Sequence, residues 1–273
     1  MSRPEELYLD LMKRALTNWI YGDSEVEFLR PKGSLRRGLI RLLLPRGSRP
    51  ARVKPFDPEL RKEGRECYPP TAHTLIGLKR LDNLQACVEE ALREGVPGDL
   101  IETGVCRGGA AIFMRAALKA HGVTDRVVWC ADSFAGLPPP DAARHPADAG
   151  DKHHLSKELT VSLEEVQRNF ERYGLLDGQV RFLKGWFKET LPSAPIRKLA
   201  VLRLDGDMYG STMDALEHLY PKLSPGGWVI VDDYGTNPPC AQAVHDYRAK
   251  HGITEPVLPV DWAASCWRRA HAR

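Results

Sequence analysis

Two short apolar runs that end in acid constrain this chain more than any other feature. They are Val201-Leu202-Arg203-Leu204-Asp205-Gly206-Asp207 and Trp228-Val229-Ile230-Val231-Asp232-Asp233. Buried parallel strands read as near-continuous apolar runs. In open α/β sheets, ligands bind outside the carboxyl ends of the strands. Four carboxylates from two such ends would converge at one rim. Like charges so placed repel unless a cation or a shared proton relieves them. A hard divalent ion with oxygen ligands, Mg²⁺ first, is the simplest relief. The alternative is that the acids only cap the helices that follow, since Asp is a favoured N-cap. Doubled acids exceed what a cap needs.

The rest of the chain supplies a matching alternation. Asp99–Thr103 reads as a strand leading into Gly104-Val105-Cys106-Arg107-Gly108-Gly109, with a helix to about residue 120. Arg126–Ala131 is a strand closed by Asp132-Ser133, Val180–Leu183 a strand closed by Gly185-Trp186-Phe187, and Leu199–Leu204 a third. Helices fit residues 80–94, 160–173, 211–222 (opened by Ser211-Thr212-x-Asp214, a near capping box) and 239–250. Two short strands near 256–260 and 264–268 finish the chain. Strands alternating with helices predict an α/β fold, a mostly parallel, Rossmann-like sheet with helices on both faces. Residues 137–157, rich in proline and polar side chains, predict a long lid loop.

Before the alternation lies a different region. Residues 5–21 suit an amphipathic helix, with Leu7, Leu11, Ala15 and Trp19 near one face. Residues 22–68 are broken by glycine and proline and carry Arg30, Lys32, Arg36, Arg37, Arg41, Arg46, Arg49, Arg52 and Lys54. They read as an irregular basic arm with one short helix near 35–44. Such density fits a solvated face or partner surface, with phosphate or nucleotide binding as the lesser alternative. Tyr68-Pro69-Pro70 sets an extended entry, after which Thr71 can cap the following helix. The expected division is therefore an N-terminal helical cap or arm over 1–67 and a main domain over 68–273 that includes the lid.

A net charge of +3 over 273 residues is too small to argue for nucleic acid or an anionic membrane. The apolar stretch 39–44 is too short to span a bilayer. Six scattered cysteines form no C-x-x-C pair, and the start shows no secretory signal, so a reduced, cytoplasmic protein is expected.

Glu102-Thr103-Gly104-x-x-x-Gly108-Gly109 stands at a strand-to-helix turn, where glycine lets the backbone approach a ligand. The spacing is neither G-x-G-x-x-G nor a phosphate-cradling Gly-Lys-Ser/Thr loop. An acid, Glu102, precedes the glycine, which suits an ammonium rather than a phosphate. A second acid, Asp132, ends the next strand, which suits a ribose diol. A nucleoside with an amino-acid tail and no phosphate fits both, and S-adenosylmethionine is that molecule. A plain tight turn is the competing reading. Trp186 or Phe187 could stack on adenine or belong to the core. His153 and His154, in the lid, could meet substrate.

The chain resembles the macrocin O-methyltransferase family over nearly its whole length. The resemblance rests on Leu11-Met12-Lys13-Arg14 with Asn18 and Tyr21-Gly22-Asp23; Tyr68-Pro69 with Ala72-His73-Thr74; Glu102-Thr103-Gly104-Val105 with Arg107-Gly108-Gly109; Asp132-Ser133-Phe134-x-Gly136-Leu137-Pro138; Leu204-Asp205-Gly206-Asp207-Met208-Tyr209 with Ser211-Thr212; Leu223-x-Pro225-Gly226-Gly227; Asp232-Asp233-Tyr234; and Trp267-Arg268-Arg269. It departs from that family in Asp261-Trp262-Ala263-Ala264-Ser265-Cys266. The resemblance implies a class I methyltransferase fold using S-adenosylmethionine and Mg²⁺ to methylate a deoxysugar hydroxyl of a natural-product glycoside or nucleotide sugar. It further implies Asp205, Asp232 and Asp233 as metal ligands and Asp207 as base. The cofactor contacts would come from Tyr68, Thr71, Glu102, Thr103, Gly104, Arg107, Gly108, Gly109, Asp132, Ser133, Gly185, Trp186 and Phe187. The partners expected are a sugar or glycoside acceptor and a second copy of the chain, with no nucleic acid and no membrane. A catechol-type phenol O-methyltransferase is the alternative. A metal-dependent hydrolase lacks support, because no His-rich metal set and no G-x-S-x-G elbow is present.

Overall fold

The apolar runs form the strands they predict. In the computed structural model, which describes residues 3–22, 26–29, 33, 42–45, 47–66, 69 and 71–270, the main strands are β3 (Asp99–Thr103), β4 (Val128–Asp132), β5 (Val180–Lys184), β6 (Leu199–Leu204) and β7 (Leu223–Val231), with short β8 (Leu258–Pro259) and β9 (Ser265–Arg268). They make one sheet in the order β5-β4-β3-β6-β7-β9-β8. Pairings from β5 through β7 are parallel; β9 runs antiparallel to both β7 and β8. The strand order reverses between β3 and β6, which opens a crevice at their carboxyl ends.

Side chains alternate across each strand, so each strand feeds two cores. Leu100, Cys130 and Val201 face one apolar cluster, shared with α1 (Pro4–Leu16), α3 (Leu78–Arg93), α4 (Gly109–Ala120) and α5 (Leu163–Arg172). Ile101, Ala131 and Leu202 face the other, shared with α7 (Tyr209–Leu219) and α8 (Pro238–Lys250). Leu100, Ile101, Val201 and Leu202 are essentially inaccessible to solvent, and each buried side chain of this size contributes roughly 1.5–3 kcal/mol. The central strands are thus deeply buried, and they carry the acidic ends.

Several local expectations are corrected. The N-terminal helix ends at Leu16 rather than at residue 21, and Thr17 Oγ1 turns back onto the Lys13 carbonyl at 2.9 Å. The arm is not wholly irregular. It holds an antiparallel pair, β1 (Val26–Phe28) with β2 (Ala51–Val53), and a helix, α2 (Pro58–Glu63). The short helix expected over 35–44 falls mostly outside the described residues. Thr71 does not cap the following helix: α3 starts at Leu78 behind Gly77, and the Thr71 hydroxyl accepts from Asn18 Nδ2 at 2.6 Å. Ser211 does not open its helix either. Helix α7 begins two residues earlier, and its first N–H groups are taken by a carboxylate from the lid. The lid itself contains two short 3₁₀ turns, Pro146–Asp148 and His153–Leu155.

Candidate active site

Two turns meet at the crevice, and glycine lets them. Gly104 has φ +86°, and a Cβ there would stand 1.8 Å from the carbonyl oxygen of Asp205. The end of β3 and the end of β6 therefore touch backbone to backbone. At Gly109 a Cβ would stand 2.5 Å from the His73 carbonyl, so this glycine admits the segment before α3 against the first turn of α4. Asp132, at the end of β4, ties the neighbouring turns together. Its Oδ2 accepts from Val105 N at 2.8 Å and its Oδ1 from Phe134 N at 2.7 Å.

Above these turns lies a cavity of about 660 Å³, within the range of small-ligand sites. Of the residues singled out from the sequence, Glu102, Gly104, Arg107, Gly109, Asp132, Ser133, Gly185, Trp186, Phe187, Asp205, Asp207, Asp232 and Asp233 line it. Thr71, Thr103 and Gly108 do not. Tyr68 lies outside the described residues. Arg107 turns its guanidinium onto the carbonyls of Pro69 and Ala72, at 2.5 and 2.7 Å, and so holds the entry segment over the glycine turn.

The acids at the rim are brought together as expected. Asp205, Asp232 and Asp233 each offer an oxygen within 4.8 Å of the others. Burial pushes Asp205 up to about 7, helped by the field of Asp232 and opposed by Arg203. Burial also pushes Asp233 well up, reinforced by Asp207, Asp205 and Asp232. Asp207 is pushed up to about 6, by burial first, with His153 pulling the other way and Asp232 and Asp151 pushing further. The chain turns tightly at Gly206-Asp207-Met208. Asp207 adopts φ +56°, and Met208 N donates to the Gly206 carbonyl at 2.5 Å. Asp is one of the few side chains that tolerate this left-handed region. Asp207 still lines the cavity, and its N–H donates to Asp233 Oδ2 at 3.2 Å.

Sequence reasoning missed the cations beneath these acids. Arg203 Nη1 donates to Glu102 Oε1 and to Asp205 Oδ2, both at 2.7 Å, and its Nη2 donates to Asp232 Oδ1. Arg80 bridges Asp232 Oδ2 and Asp261 Oδ2, each at 2.7 Å. Glu102 therefore faces a guanidinium through one oxygen, while its Oε2 has no hydrogen-bond partner among the described residues. Burial pushes Glu102 up to about 8 against the pull of Arg203. The signal was available: an arginine inside an otherwise apolar strand must find acids, and the acid two residues on shares its face. Four carboxylates (Glu102, Asp205, Asp232 and Asp261) thus share two guanidinium groups, and Asp207 and Asp233 lie beside them. An all-oxygen donor set with excess negative charge suits a hard divalent cation.

A match to the family described as macrocin O-methyltransferase spans residues 5–269. The chain belongs to the macrocin O-methyltransferase family. It is 53% identical over 268 residues to the mycinamicin III 3''-O-methyltransferase of Micromonospora griseorubida, covering 97% of each chain. It is 49% identical over 267 residues to the demethyldecarbamoylnovobiocin O-methyltransferase of Streptomyces niveus, covering 96% of this chain and 93% of the other. The solved structure of the O-methyltransferase NovP superposes with a TM-score of 0.82 at 47% identity, over 98% of this chain and all of that one. The family resemblance read from the acid and glycine motifs is thereby borne out. The chain is an O-methyltransferase with a class I methyltransferase fold. Among the described residues, no helix is long and apolar enough to cross a membrane.

Proposed function

We propose that this enzyme transfers the methyl group of S-adenosylmethionine to a hydroxyl of a deoxysugar, on a natural-product glycoside or a nucleotide sugar, with Mg²⁺. The observation that carries this reading is the cluster of Asp205, Asp232 and Asp233 beside Asp207, in the cavity that also holds the glycine turn. The relatives named for methylating mycinamicin III and demethyldecarbamoylnovobiocin support it.

The methyl donor would occupy the side of the cavity lined by Gly104, Arg107, Gly109, Asp132 and Trp186, and the acceptor the side lined by the aspartates. Asp205, Asp232 and Asp233 would hold the cation. A bound divalent ion would supply Lewis acidity, lowering the pKa of a hydroxyl beside it. Asp207 takes the proton from the acceptor hydroxyl. The bound donor would supply an electrophilic methyl group on a sulfonium, whose sulfur would keep the electron pair of the broken C–S bond and become a neutral thioether. The rigid strand ends would hold the acceptor oxygen in line with the methyl group, which would supply much of the rate. Arg203 and Arg80 keep the ligand carboxylates in place.

We infer a homodimer as well. Leu7 and Leu11 on α1, with Phe28 and Val53 on the hairpin, are large apolar side chains exposed to solvent, which supports burial against a second copy. Light scattering at micromolar concentration tests this.

The functional test is a screen of glycosides and catechols with labelled methyl donor. Label on a sugar oxygen supports the reading; label on phenols alone favours the catechol-type alternative.

A further inference from the structure

The lid is registered against the turn that carries Asp207. Both oxygens of Asp148, which is buried, accept from the first turn of α7: Oδ1 from Tyr209 N at 2.7 Å and Oδ2 from Gly210 N at 2.9 Å. The imidazole of His145 packs against Tyr209, with ring centres 5.5 Å apart. From this anchor the chain runs a short course to His153. Asp151 N donates to the Asp148 carbonyl at 3.1 Å. Asp151 then fixes the next residue but one twice over. Its Oδ1 accepts from His153 N at 2.8 Å, and its Oδ2 meets His153 Nδ1 at 2.6 Å.

The consequence is an imidazole with one nitrogen spoken for and the other unpaired. Nε2 of His153 has no hydrogen-bond partner among the described residues, and the ring lines the cavity with Asp207. His154, its neighbour, does not line it. A polar atom held in place at a cavity wall is how a binding site selects orientation. Although burial opposes the charged ring, the Asp151 hydrogen bond and the negative fields of Asp207 and Asp151 raise the pKa of His153. A hydroxyl can answer Nε2 as acceptor or as donor.

We propose that His153, oriented by Asp151, is the specificity residue of the lid, hydrogen-bonding through Nε2 to an acceptor oxygen that the aspartate cluster does not engage. The inference rests on the reading of the acceptor as a sugar, because it needs a further oxygen on the ring. Asp151 is a positioning residue that acts through His153. A polyhydroxylated ring is then held at two points, by the aspartates at the strand ends and by the imidazole above. A hydrogen bond to a charged or strongly polarised group is worth a factor of roughly 10–150.

The test pairs variants with acceptors, using the full-length enzyme. His153→Ala and His153→Gln are assayed against the best glycoside and a set of its monodeoxygenated analogues. Calorimetry with S-adenosylhomocysteine checks that each variant folds and binds. For His153→Ala, KM for the glycoside should rise at least about tenfold, with affinity for S-adenosylhomocysteine unchanged within twofold. His153→Gln, which keeps a polar atom in reach, should recover most of the loss. Asp151→Asn should raise the acceptor KM without altering donor affinity. One deoxygenated analogue should be a poor substrate for the wild type, and the His153→Ala variant should treat it and the parent glycoside alike. A glycoside KM unchanged by His153→Ala overturns the assignment, as does a loss of equal size for every analogue. A wild type that turns over catechols and no glycoside overturns both this inference and the sugar reading. A glycoside-active wild type with an indifferent His153→Ala overturns this one alone.

Discussion

Arg203 Nη1 lies 2.7 Å from Asp205 Oδ2, so a strand-borne guanidinium stands directly under one of the acids proposed to hold the metal. Arg203 is 1% exposed and shares its charge with Glu102 and Asp232 as well. Removing one partner of a buried ion cluster leaves uncompensated charge, which typically costs about 3–5 kcal/mol. Arg203→Leu should lose stability on that scale in urea titrations without metal. Mg²⁺ should restore part of it, by replacing the lost positive charge. A loss below about 1 kcal/mol would mean that the acids are already neutral without Arg203.

Metal binding is directly measurable. Asp232→Asn removes a charged oxygen donor, and its Mg²⁺ affinity by calorimetry should drop at least about tenfold, the lower end of what even outer partners of a metal ligand contribute. Exhaustive chelation should abolish turnover of the wild type, and added Mg²⁺ should restore it. Full activity after chelation would remove the metal from the account.

The lid should loosen when its anchor is cut. Asp148→Ala strips the cap from α7, a change that costs about 0.5–2 kcal/mol at a helix start. Arg144 and Lys152, both exposed on the lid, are the natural sites for trypsin. Cleavage there should be faster in Asp148→Ala than in wild type, and should slow in wild type when S-adenosylhomocysteine and acceptor are bound. Equal rates in the variant and the wild type would mean that the lid is held by other contacts.

His73 should make stability depend on pH. Its pKa is lowered to about 4, chiefly by burial and further by the fields of Arg172 and Arg107, and its Nδ1 meets Tyr173 Oη at 2.7 Å. The unfolded chain, with an ordinary pKa near 6.5, binds more protons than the folded one between those values. This contribution to stability is therefore complete above about pH 6.5 and is lost as pH falls toward about 4. His73→Gln cannot titrate, so the stability gap between wild type and this variant should narrow from pH 7 to pH 5. A constant gap would place the His73 pKa near its ordinary value.

How much of this was legible in the sequence depended on distance along the chain. The parallel core was legible because Leu199–Leu204, but for Arg203, and Trp228–Val231 are apolar, and their acidic ends marked the rim. The cap of α7 was not. Ser211 offered a local signal, but the helix starts at Tyr209, whose N–H is taken by Asp148, 61 residues before it. The grip of Arg203 on Glu102 spans 101 residues, which no local pattern encodes. Helix α2 was legible and overlooked. Asp57 and Pro58 at its start and Gly64 at its end, with φ +63°, are the expected punctuation. The three-residue strands β1 and β2 are too short for an alternation to register.

The most direct measurement is methyl transfer from labelled S-adenosylmethionine to a deoxysugar glycoside and to a catechol, by wild type and by Asp207→Asn, with Mg²⁺ present. An alkyl hydroxyl is a far weaker acid than a phenol, whose pKa lies near about 10, so a sugar needs a positioned base as well as the cation. Asp207→Asn is nearly isosteric and leaves Asp205, Asp232 and Asp233 in place. The account predicts that wild type labels the glycoside, and that the variant does so roughly 10²–10⁴-fold more slowly with donor binding intact. Undiminished glycoside turnover by Asp207→Asn, or label on the catechol alone from wild type, would contradict it.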